Sequence, residues 1–95
     1  MTTSNTHVPT ANGEKYVRQL CKHWSHKLDV ELDGGNGTVR FPDGEVHMQS
    51  LPDGIDVSIS SKAEDTVERL KGVLERHLDR FAFREGPLAY DWSAA

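Results

Sequence analysis

The segment Cys21-Lys22-His23-Trp24-Ser25-His26-Lys27 places one thiol and two imidazoles within seven residues. A cysteine beside histidines is the raw material of a metal site or an activated nucleophile. Helical spacing decides between the pairs. Cys21 and His23 lie about 160° apart round a helix axis and cannot share an ion on a straight helix. His23 and His26, at i and i+3, fall on one side and can. A zinc site takes three or four protein ligands, and no CxxC or HExxH accompanies this pair. The residues therefore read as solvated histidines at a helix edge, with no metal, no cofactor and no structural zinc expected. Cys21 reads as a small buried hydrophobe, because a nucleophile needs a base in reach and His23 faces away.

A third imidazole, His77, lies three residues after Leu74 and four after Val73, inside an apolar stripe. A buried neutral histidine must satisfy its ring nitrogens. It is either a core residue bonded to a carbonyl, a carboxylate or a water, or a ligand or acid–base group facing a helix–helix seam. On both readings it is expected to be largely inaccessible. Just beyond it, Asp79-Arg80-Phe81-Ala82-Phe83-Arg84-Glu85 frames two aromatics with arginines and acids. This reads first as a helix end whose phenylalanines plug the core while the charges pair at the surface. The sharper reading is a corner that binds an anion or an aromatic group. No phosphate loop and no Ser/His/Asp set with usable context is present.

The elements that must position these groups follow from periodicity. Tyr16, Val17, Leu20, Cys21 and Trp24 form one stripe and predict a helix over Gly13–Lys27, capped by Thr10 or Asn12. From Leu28 the period changes to two. Leu28, Val30 and Leu32 alternate with Asp29, Glu31 and Asp33, and three further alternating runs end at Phe41, Met48 and Ile59. Asp33-Gly34-Gly35-Asn36-Gly37 and two Pro-Asp-Gly turns separate them. Ser61-Lys62-Ala63-Glu64 matches a capping box. The helix behind it runs to about Arg80, with Val67, Leu70, Val73, Leu74, Leu78 and Phe81 inward. Gly72 on its outer side costs about 0.5–1 kcal/mol relative to alanine. Leu88, Tyr90 and Trp92 alternate near the C-terminus and allow a short edge strand. The expected fold is α+β: a four-stranded antiparallel meander with two amphipathic helices on one face, in the order α-β-β-β-β-α. Residues 1–9 are expected to be flexible and 10–95 to form a single α+β domain.

Composition narrows the function. Ninety-five residues with 36% hydrophobic and 27% charged content describe one folded domain with a thin core. The net charge of −4 repels phosphate backbones. The polar sheet face carries no aromatics on which bases could stack, so nucleic acid is not an expected partner. A single cysteine fits a reducing compartment. No apolar run is long enough for membrane insertion. The expected location is cytoplasmic.

Leu20-Cys21-Lys22-His23-Trp24, Phe41-Pro42-Asp43-Gly44, His77-Leu78-Asp79-Arg80-Phe81-Ala82-Phe83-Arg84-Glu85 and Trp92 together resemble the bacterial domain-of-unknown-function family 2218. The likeness extends from about Thr10 to Trp92. It implies a small cytosolic protein of a kind often encoded near iron–siderophore uptake systems and sometimes joined to siderophore-interacting flavin reductases. It implies no reaction. It makes His23, His77, Arg80, Arg84 and Glu85 the candidate ligand-binding residues; catalytic residues stay unassigned. Three functions follow as expectations. The first is a non-catalytic accessory or ligand-binding module in iron or siderophore handling, with a small molecule or a siderophore-pathway protein as partner. The second is a small enzyme using a buried His77 as acid–base group with Glu85 or His23. The third is a homodimeric interaction domain pairing through an uncovered edge strand.

Overall fold

The computed structural model describes residues 2–94; Met1 and Ala95, the outer ends of the expected flexible segment and domain, lie outside the described residues. The chain forms β1 (Thr2–Pro9), α1 (Gly13–Trp24), β2 (Asp29–Asp33), β3 (Asn36–Phe41), β4 (Gly44–Leu51), β5 (Gly54–Ser61), α2 (Glu64–Phe81), a 3-10 turn (Phe83–Glu85) and β6 (Ser93–Ala94). The strands make one sheet in the order β2-β3-β4-β5-β1-β6, and every pairing is antiparallel.

The α+β class and the four-stranded meander stand as expected, but the sheet has six strands rather than four. The largest correction is at the N-terminus. Thr2–Pro9, expected to be flexible, is a strand paired with β5 along its whole length, from Thr2 opposite Ser61 to Pro9 opposite Gly54. Its inward positions are Ser4, Thr6 and Val8, all buried. Two of the three are small and polar, so the hydrophobic alternation that marks a half-buried strand is missing from the sequence. The buried Thr6 hydroxyl accepts a hydrogen bond from the Asp91 amide at 2.9 Å, which makes its polarity tolerable there. The second addition is β6, which pairs Ser93 and Ala94 with β1. It lies just after the alternating Leu88, Tyr90 and Trp92. Those three are not strand residues; they pack against the core as a strap along α2. Tyr90 donates to an Asp79 carboxylate oxygen at 3.0 Å and Trp92 Nε1 to Glu75 at 2.7 Å. Burial, with the Asp79 carboxylate beside it, pushes the Tyr90 hydroxyl far above its ordinary value.

Both helices lie on the apolar face. Val17, Leu20 and Cys21 of α1 and Val67, Leu70, Leu74 and Leu78 of α2 close over Val8, Val39, Val46, Met48, Ile55, Val57 and Ile59 from the strands. Three local expectations need correction. Helix α1 stops at Trp24, not Lys27, and His26 lies in the turn that follows, so the i, i+3 argument for pairing it with His23 loses its helix. The start of α1 has no side-chain cap. The Ser61–Glu64 capping box also does not form, and Ala63 is the residue at the cap of α2. The Ser61 hydroxyl instead donates to the Asp43 carbonyl at 2.6 Å, tying the β3–β4 turn to the end of β5. On β2, at the edge of the sheet, Leu32 is 42% exposed. The register is unaffected: Val30 faces Val39, and Asp29, Glu31 and Asp56 are exposed.

Candidate functional site

Helices α1 and α2 lie side by side on the sheet, and their C-terminal halves bring His23 to His77. The ring centroids are 5.3 Å apart, with the planes inclined at 50°. Trp24 stands 5.2 Å from His77, and Phe81 stands 6.2 Å from His23 edge-on. Thus two imidazoles from opposite ends of the sequence sit in one aromatic patch. His23 is exposed, and His77 is half-buried rather than inaccessible. The correction to His77 is one of degree. Its Cα lies on the apolar stripe, but α1 ends beside it and leaves the outer edge of the ring open. Its Nδ1 lies 2.7 Å from the Val73 carbonyl. A carbonyl only accepts, so Nδ1 carries the proton.

The other candidates do not join this pair. Glu85 lies at the opposite end of α1, where Tyr16, Thr10 and Asn12 all donate to its carboxylate. Tyr16 and His23 are separated by about 10 Å of helix rise. The Tyr16 hydroxyl, with help from Asn12 and Thr10, holds the Glu85 carboxyl below the usual glutamate value, against an opposing effect of burial. The same contact raises the Tyr16 hydroxyl. Thr10, expected as a helix cap, therefore anchors the C-terminal turn instead. Arg80 is exposed, and the Arg84 guanidinium sits 5.7 Å from the Phe83 ring centre. Phe83 is 70% exposed, the most open large apolar side chain among the described residues. The expectation that both phenylalanines plug the core therefore holds in part for Phe81, which is half-buried, and fails for Phe83. A single 3-10 turn rotates Phe83 away from the stripe that Phe81 ends. Cys21 is buried, and burial raises its thiol and disfavours the thiolate.

The open face of the sheet carries Glu45, His47 and Asp56, as the strand alternation expects, and adds His7, which it does not. His7 of β1 faces Asp56 of β5 with Nδ1 2.6 Å from Oδ1, and the Asp56 bond raises the His7 imidazole. His47 lies 3.1 Å from Glu45 through Nε2 and 3.1 Å from Thr38 through Nδ1. A groove of about 480 Å³ runs over β5 between these histidines. A second, of about 730 Å³, lies by the β3–β4 turn and the start of α2. A third lies over β2–β4. His23, His77, Arg80, Arg84 and Glu85 line none of these three grooves. The His7–Asp56 pair was invisible in the sequence because its histidine sits on the strand that lacks an apolar alternation. The Tyr16–Glu85 bond had a faint signal: a tyrosine on a buried stripe needs a partner for its hydroxyl.

With the fold and the patch defined, the comparisons place the molecule. The chain belongs to the bacterial family described as "uncharacterized protein conserved in bacteria" (DUF2218), whose family model matches residues 5–93. Among solved structures it is similar to the NMR structure of PA4090 from Pseudomonas aeruginosa. The two share 34% identity over 98% of this chain and 96% of that one, with a TM-score of 0.85. No curated protein matches the chain. No helix among the described residues is long and apolar enough to cross a membrane.

Proposed function

We propose that this domain is an accessory binding module without chemistry of its own, docking a partner protein through the surface where α1 and α2 end. The observation that carries the reading is Phe83, 70% exposed and overlain by Arg84. Aromatic residues and arginine are the types that anchor protein interfaces. Arg80 precedes this pair by one turn, and the exposed His23 leads from it across Phe81 to the seam. Of the groups that an acid–base reading would combine, Glu85 lies at the far end of α1 from His77 and His23. His77 Nδ1 is held by a carbonyl of its own helix, and Glu85 by three donors at the far end of α1.

The family resemblance supplies the partner class, a protein of iron or siderophore handling in the cytoplasm. The test is an NMR titration of the labelled domain with a purified siderophore-interacting flavin reductase. Shifts or broadening should concentrate at His23, His77 and residues 80–84. Perturbation confined to the open sheet face, or none at stoichiometric partner, would overturn the reading.

A further inference from the structure

We infer that His23 and His77 form an open two-imidazole site for a divalent transition-metal ion at the α1–α2 seam. This goes beyond the docking proposal and does not depend on it. A metal–nitrogen bond of about 2.1 Å puts each imidazole centre about 3.2 Å from the ion, so two rings at a tetrahedral angle have centres about 5.2 Å apart. The observed separation of 5.3 Å, within the ordinary range of tilted ring contacts, admits that arrangement.

The tautomer of His77 suits a ligand. The Val73 carbonyl fixes the proton of His77 on Nδ1. In the neutral ring this leaves the Nε2 lone pair free on the edge away from the helix carbonyl. A ligating histidine usually donates its other ring nitrogen to a carbonyl or carboxylate, which sets the ring angle and raises its basicity. His77 has that arrangement before any ion arrives. His23 is exposed, and among the described residues no side chain hydrogen-bonds its ring, so it can turn either nitrogen to the ion.

Imidazole selects zinc, copper and nickel over the oxygen-loving cations. Two protein ligands leave the remaining positions to water or to a donor from a partner, so the ion is exchangeable and the fold does not need it. Spacing along one helix weighs His23 only against neighbours on that helix. The second imidazole arrives from 54 residues away, across the seam.

Trp24 provides the readout, since its ring lies 5.2 Å from His77. In untagged Trp92→Phe protein, Trp24 is the sole tryptophan, and Ni²⁺ at this site should quench it. Zn²⁺, which does not quench, should reverse the effect by competition. His23→Gln changes an exposed residue, leaves the fold intact and should weaken Ni²⁺ binding at least tenfold. His77→Gln should do the same, while His26→Gln, His7→Gln and His47→Gln should change it less than twofold. Unquenched Trp24 at millimolar Ni²⁺ would overturn the site, as would quenching that survives the His23→Gln, His77→Gln double variant. Loss through His26→Gln with His77→Gln silent would assign the ion to a different pair and overturn it equally. A reductase that still shifts residues 80–84 while Ni²⁺ fails to bind would sink this inference alone; the reverse pattern would sink docking alone.

Discussion

His77 and Glu85 show how one side chain can be held for structural reasons and still set what the surface does. The His77 ring bonds the Val73 carbonyl and packs on Trp24, yet it is only half-buried. His77→Ala should therefore cost about 1–2 kcal/mol in urea unfolding, from the lost contact and bond together. His77→Gln, of similar volume and still polar, should recover much of that. Glu85 makes a prediction in pH. Its carboxyl titrates below the ordinary value of 4.5 when folded, because Tyr16, Asn12 and Thr10 donate to the ionised form. The unfolded chain then binds the proton more readily than the folded one, so stability rises with pH in this range. The contribution is complete above about 4.5 and disappears as the pH falls through the lower folded value. Glu85→Gln should destabilise the domain at pH 7 by on the order of 1 kcal/mol, a modest figure because the carboxylate is exposed. It should also flatten the acid limb of a melting-temperature profile between pH 5 and the acid end. An unchanged acid limb would show that the three donors do not favour the ionised carboxyl.

At the scale of elements, the strand that the sequence hides matters most. β1 is an interior strand, between β5 and β6, and Val8 is completely buried. Deleting residues 2–9 would remove about 2 kcal/mol of Val8 burial alone and strip β5 of its partner. The truncated chain should lose its near-ultraviolet circular dichroism and aggregate through the bared strand edge. The β1–β5 pairing can also be strained at one point. A Cβ on Gly54 would lie 2.4 Å from the Val8 carbonyl oxygen, which is backbone and cannot swing aside. Gly54→Ala should cost about 1–3 kcal/mol in urea unfolding.

These elements also show what a sequence can and cannot disclose. Helices and strands with one apolar face, such as α2 and β5, were legible because burial imposes the period that residue type reports. β1 was not, because Ser4 and Thr6 occupy its inward positions and their hydroxyls carry no hydrophobic signal. The cap of α2 was misread because Ser61 is the last residue of β5, paired with Thr2, and its hydroxyl oxygen accepts from the Ala63 amide, short of the first turn of the helix. Among the candidate residues, helix phase put His77 on the inward stripe and His23 at a helix edge, but could not show that the two meet. It could not separate Glu85 from them, since that depends on the direction in which the chain turns after Phe81. It also could not reveal the His7–Asp56 pair, which needs β1 to exist.

At the scale of the whole molecule, a thin two-layer domain divides its surface between two faces of different character. The open sheet face is polar throughout and crossed by ion pairs, with Arg40 bridging Asp29, Glu31 and Glu45. Such exposed pairs are worth little to stability, but they keep the sheet wet and discourage a second sheet from stacking on it. The helix side ends in the exposed Phe83 under the Arg84 guanidinium. The account places function on that side, so a pair of substitutions, one on each face, separates the alternatives. Phe83→Ser alters a side chain that is 70% exposed and should change stability by no more than about 0.5 kcal/mol. The most direct measurement is growth under iron limitation of a bacterium lacking its copy of this gene, complemented with wild type, Phe83→Ser or the sheet-face control His47→Gln at equal protein levels. The account predicts that wild type and His47→Gln restore growth and Phe83→Ser does not. Full rescue by Phe83→Ser, or failure of His47→Gln alone, would contradict it and move the working surface to the open face of the sheet.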